Sequence, residues 1–66
     1  MQILLNGKLY PCEQNATLLT LLEQLQMPPQ AVVAELSGQI IKAECFAETV
    51  LHEGDTLELL RFVGGG

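Results

Sequence analysis

The sequence predicts an α+β domain in which a mixed sheet of four or five strands packs on one main helix. Three observations carry that reading. Short apolar stretches flank two tight-turn dipeptides, Asn6-Gly7 and Ser37-Gly38. Between them a single stretch repeats its leucines at helical spacing. The 66 residues, 48% of them apolar, are enough for one compact core and too few for a second. A domain of this size buries only about 60% of the surface its unfolded chain exposes, so its stability margin is thin.

The elements follow in order. Ile3 and Leu5 share one face of a first strand over about 2–5, and Tyr10 and Cys12 share a face of a second over about 8–12. Asn-Gly between such runs is a strong hairpin signal, because both turn residues need positive φ. Pro11 cannot donate to a ladder, which places the second strand at a sheet edge. In "NATLLTLLEQLQMPP", Leu18, Leu21, Leu22 and Leu25 follow the i, i+3, i+4, i+7 spacing of an amphipathic helix. Thr17 is its candidate N-cap, although Thr20 stands where a capping box wants Glu or Gln. Pro28 and Pro29 are expected to stop the helix, since a residue before proline is pushed out of the α region. The stretch "AVVAELSGQIIKA" reads as a second hairpin with Val33, Ile40 and Ile41 as its apolar positions. "AECFAETVL" reads as a short helical turn packed by Phe46 and Leu51, and "HEGDT" as a turn in which Gly54 supplies positive φ. A last strand runs from Thr56 to about Val63 with Leu57 and Leu59 inward. If that strand lies parallel to the first, both become central and the arrangement is a β-grasp.

Composition narrows the function. Three basic residues against eight acidic ones give a net charge of −5, which disfavours nucleic acid. Such a charge either steers the domain to a basic protein surface or only keeps it in solution. No apolar run reaches the 18 residues of a membrane span, and Met1-Gln2-Ile3 does not open like a signal peptide, so the expected location is cytoplasmic, without membrane contact. Cys12 and Cys45 form no CxxC pair, and with one histidine they make no usual zinc site, so no metal is expected. His52 has no nucleophile beside it to activate and reads as a solvated turn residue. Glu44, Glu48, Glu53, Asp55 and Glu58 lack the spacing of a calcium loop.

The chemistry left over belongs to "LLRFVGGG". A terminal carboxylate, with a pKa near about 3.3–3.7, is ionised at pH 7 and a poor acylating group until it is activated, for example by adenylation. Glycines at 64, 65 and 66 let a partner enzyme bring backbone close to a nucleotide, where side chains would obstruct it. The competing reading is a frayed or linker-like end. On either reading, residues 1–63 form the domain and 64–66 a flexible tail.

"MQILLNG", "TLLTLLEQL", "AELSGQII" and above all "FAETVLHEGDTLELLRFVGGG", taken in that order, resemble the ThiS family of thiamine-biosynthesis sulfur carriers, over essentially the whole chain. That resemblance implies a ubiquitin-like β-grasp fold and a protein substrate with no catalytic residue of its own. It implies that an E1-like adenylyltransferase, using ATP and magnesium that this chain does not itself bind, adenylates the carboxylate of Gly66. Sulfur from a cysteine-derived donor system then makes a thiocarboxylate, which donates to thiazole synthase. Gly65 is the second residue of the family's Gly-Gly signature and Gly64 extends the tail. Two departures stand out: Lys42-Ala43 replaces a common Pro-Arg pair, and Phe46 replaces a common tryptophan. The alternatives are a molybdopterin-synthase small subunit, a ubiquitin-like modifier, and an interaction module with an inert tail. Leu60 and Phe62 are the candidate partner contacts, both outward if the strand shifts phase near Leu59-Leu60. Otherwise Phe62 folds back over the core. Cys12 is expected to be buried and inert. Cys45 is the more exposed thiol, with a minor persulfide role left open.

Overall fold

Both glycine dipeptides form the turns expected of them in the computed structural model, which describes residues 1–62. Asn6 and Gly7 lie at φ 50° and 83°, and Ser37 and Gly38 at 50° and 88°. Positive φ at both central residues is the mark of the type I′ turn, whose twist matches that of the strands it joins. The first turn connects β1 (Gln2–Leu5) to β2 (Lys8–Pro11), with Gln2 opposite Pro11 and Leu5 opposite Lys8. The second connects β3 (Val32–Leu36) to β4 (Gln39–Ile41). β5 (Thr56–Arg61) then enters between the two hairpins, parallel to β1 and antiparallel to β3. The sheet order is β2-β1-β5-β3-β4, five strands with the first and last of the chain side by side. β2 is an edge strand, as its proline requires. It ends at Pro11 rather than Cys12, although Cys12 still exchanges hydrogen bonds of 2.6 and 2.8 Å with Met1.

The helix α1 (Leu18–Gln24) covers one face of this sheet with Leu18, Leu21 and Leu22 buried. Thr20 fills the position expected for Glu or Gln. Its hydroxyl accepts from the Thr17 backbone N–H at 2.9 Å, and its own N–H donates to the Thr17 hydroxyl at 3.1 Å. A threonine thus completes the capping box. The prolines do not end the helix. Gln26 takes φ 58°, its N–H donates to the Glu23 carbonyl, and the Met27 N–H reaches back to the Leu22 carbonyl at 2.9 Å. This is a Schellman arrangement with glutamine in the place glycine usually takes. Pro28 and Pro29 instead introduce a 3-10 turn over Pro29–Ala31.

A second 3-10 helix, Ala43–Glu48, buries Phe46. Behind it the chain is tied to the start of α1: the Leu18 N–H donates to the Thr49 carbonyl and the Leu51 N–H to the Ala16 carbonyl, both at 2.8 Å. Ile3, Leu18, Leu21, Leu22, Phe46, Leu51 and Leu57 are the large side chains fully removed from solvent. On β3 the apolar run "VVA" leaves its phase open in sequence, and the register with β5 decides it. Ala34 faces Leu59, so Val32 and Ala34 are buried while Val33 turns to the other face with Ile40.

Candidate functional site

β5 alternates without interruption. Leu57 and Leu59 are buried, while Thr56, Glu58 and Leu60 face away from α1. No phase shift near Leu59-Leu60 is needed to turn Leu60 outward, because strand periodicity of two already does so. Phe62 continues the strand geometry, its N–H donating to the Ala31 carbonyl at 3.0 Å, and its side chain is 46% exposed. It does not fold away over the core.

The register builds a patch around these two residues. Val33 lies directly opposite Leu60, and Glu35 lies between Glu58 on one side and Ile40 on the other. Leu60 and Ile40 are 67% and 68% exposed. The open face of the sheet therefore carries Val33, Ile40, Leu60 and Phe62 beside the exit of the last strand, with Glu35 and Glu58 along the boundary. Apolar side chains grouped in this way on an open sheet face mark a contact surface more than isolated exposed ones do. Gly64, Gly65 and Gly66, the expected reactive tail, lie outside the described residues together with Val63. What the structure supplies is their base, at the end of a central strand.

One residue at that base does more than form a turn. The Asn6 amide reaches the backbone of Leu59 twice: Oδ1 accepts from the Leu59 N–H at 2.8 Å, and Nδ2 donates to the Leu59 carbonyl at 3.3 Å. Asn-Gly announces the turn in sequence, but a side chain bonding 53 positions away has no local signature.

The His52 backbone N–H donates to the Asp55 carboxylate at 2.8 Å, and the imidazole is exposed, 3.9 Å from the same oxygen. An open depression of about 450 Å³ includes Glu13, Asn15, Thr20 and Glu23, but the Thr20 hydroxyl is spent on the capping box. Among the described residues no three His, Cys, Asp or Glu side chains gather as a metal site, and no helix is long and apolar enough to cross a membrane. Cys12 is buried, and that burial raises its thiol pKa, against a smaller lowering by the N-terminal ammonium. Cys45 is exposed. A thiol reagent is accordingly expected to modify Cys45 in the native protein and to reach Cys12 only on unfolding, as counted by mass.

A family model described as the ThiS family matches residues 3–66. The chain is 32% identical over 66 residues to the sulfur carrier protein ThiS of Escherichia coli, covering all of both. It is 35% identical to a thiazole synthase of Magnetococcus marinus, of which it spans 20% of the length. A crystal structure of the thiamine biosynthesis protein ThiS from Geobacter metallireducens superposes with a TM-score of 0.84 at 32% identity, covering both chains in full.

Proposed function

The chain belongs to the ThiS family of sulfur carriers, and from that membership we propose that its working group is the carboxylate of Gly66. The observation carrying this reading is that the family match runs through residue 66, and the Escherichia coli carrier is matched over its full length. The protein acts as a co-substrate and its partners supply the catalysis. An E1-like adenylyltransferase, holding ATP and magnesium, forms the acyl-adenylate of Gly66 with release of pyrophosphate. A sulfide equivalent from a cysteine-derived donor system attacks the acyl carbon, AMP leaves, and the thiocarboxylate results. Thiazole synthase then accepts that sulfur. Support for this acceptor comes from relatives in which the same domain forms 20% of a thiazole synthase. All of this is expected to take place in the cytoplasm.

The folded domain contributes binding energy remote from the reacting carbon, which is how a protein substrate gains rate and selectivity. Leu60, Phe62, Val33 and Ile40 are the surface we assign to that contact, and the flanking Glu35 and Glu58 suit a partner whose rim is basic. Leu60→Asp is expected to raise the KM for the carrier in adenylation roughly 10- to 30-fold, the size of a hot-spot loss. Its unfolding midpoint should hardly change, since the side chain is exposed. An unchanged KM would place the contact elsewhere.

The acceptor is tested with carrier already loaded. Offered to thiazole synthase and, separately, to the large subunit of a molybdopterin synthase, the thiocarboxylate should be consumed only by the first. Consumption by the second alone would move the protein to the molybdopterin branch.

A further inference from the structure

We propose that Asn6 is a positioning residue for delivery of the carboxylate, its side-chain amide acting as the last two-sided anchor of β5 before the tail. The inference rests on the carrier reading above. In the parallel pairing of β1 with β5, the Leu4 N–H donates to the Asp55 carbonyl at 2.8 Å and the Asn6 N–H to the Leu57 carbonyl at 2.9 Å. Continuing the ladder would use the Asn6 carbonyl for the Leu59 N–H, and the N–H of residue 8 for the Leu59 carbonyl. Neither is at hand, because Asn6 has turned to φ 50° and started the hairpin. Its side chain replaces both rungs, through Oδ1 and Nδ2.

An amide side chain carries an N–H donor and a carbonyl acceptor side by side on one planar group, and of the two amides asparagine is the one enriched at positive φ. One residue therefore turns the chain and closes the ladder. Up to Leu59, β5 is held from both sides. From Leu60 to Phe62 it is held by β3 and the segment before it, through Leu60 opposite Val33 and the Phe62–Ala31 bond. The register directs the main-chain N–H and carbonyl of Arg61 to the side that β1 has left. Gly66 lies seven residues beyond Leu59, the residue that Asn6 holds. Fixing the strand there restricts the directions from which the carboxylate sets out towards a partner's site. Loss of the anchor lowers the fraction of carrier molecules poised to bind, and apparent affinity falls by that fraction while the chemistry of the bound state is kept.

The test compares wild type, Asn6→Gly, Asn6→Asp and Thr17→Ala, each as the full chain, with the E1-like enzyme. The readout is ATP-dependent pyrophosphate release, at a temperature where each is folded by circular dichroism. Asn6→Gly tolerates the turn's positive φ but removes both bonds. It is expected to raise KM roughly tenfold with kcat within about twofold, and to lose hydrogen-exchange protection at the Leu59 amide. Asn6→Asp keeps the acceptor and loses the donor, so its KM should fall between; it carries the test alone if Asn6→Gly does not fold. Thr17→Ala loses a helix cap remote from β5 and should leave KM unchanged. A wild-type KM in the Asn6 variants, or an equal rise in Thr17→Ala, would overturn the inference. Failure of the wild type itself, with an enzyme active on another carrier, would overturn the carrier reading and this inference with it.

Discussion

Deletion of Gly66 is expected to abolish sulfur loading and to leave the fold untouched. The shortened chain still ends in a glycine carboxylate, so nothing in the chemistry of the group itself has changed. What changes is reach. The tail loses one residue of contour, about 3.3–3.6 Å when extended. A misplacement of about 1 Å is enough to cost roughly 100-fold where two reacting groups must be held in register. Loading should therefore fall by at least that factor, as read by mass after incubation with the adenylating enzyme. The fold should not notice, because the core draws on no described residue after Leu59. Unfolding free energies of the two chains should agree within the roughly 0.5 kcal/mol typical of surface changes. Loading that survives the deletion would mean that the reactive residue has been wrongly assigned.

The second large effect concerns stability. Phe46 is among the largest fully buried side chains, and it sits on a 3-10 helix packed against α1 rather than on a strand of the sheet. Replacing a buried phenylalanine by alanine typically costs about 3–5 kcal/mol, from lost transfer energy together with the cavity left behind. At roughly 0.05–0.15 kcal/mol per residue, a chain of this length is stable by only about 3–10 kcal/mol in total. Phe46→Ala is thus expected to be largely unfolded or close to it at room temperature, as urea denaturation followed by circular dichroism would report. A loss below about 1 kcal/mol would show that this segment does not anchor the helix to the sheet.

Much of this architecture is legible in the amino-acid sequence because it is set by local rules. Asn6-Gly7 and Ser37-Gly38 announce their turns through backbone sterics alone, and the leucines of α1 and β5 declare their faces through periodicity. Where non-local contacts decide, sequence reading runs out. The phase of β3 follows from its register with β5, so Val33 and Ile40 prove to be surface residues. The helix ends through a Schellman arrangement at Gln26, a residue whose preference for positive φ is weak, so the stop carries no signal as strong as the prolines that follow it. The candidate site divides in the same way. Leu60 and Phe62 stand out in sequence as apolar residues at the end of the last strand, but that both face outward follows from the unbroken alternation of β5. Their grouping with Val33 required the strand pairing, and the double bond of Asn6 to Leu59 required the tertiary fold.

On the proposed function, the protein's chemistry rests on one carboxylate presented by a folded base. The most direct measurement is the intact mass of the chain after incubation with a cognate E1-like adenylyltransferase, ATP, magnesium and a sulfur source. The account predicts the mass gain of one oxygen replaced by sulfur, located at Gly66 by fragmentation, and unchanged in Cys45→Ser. An unmodified mass, with the same enzyme loading another carrier in parallel, or a sulfur adduct found on a cysteine, would contradict it.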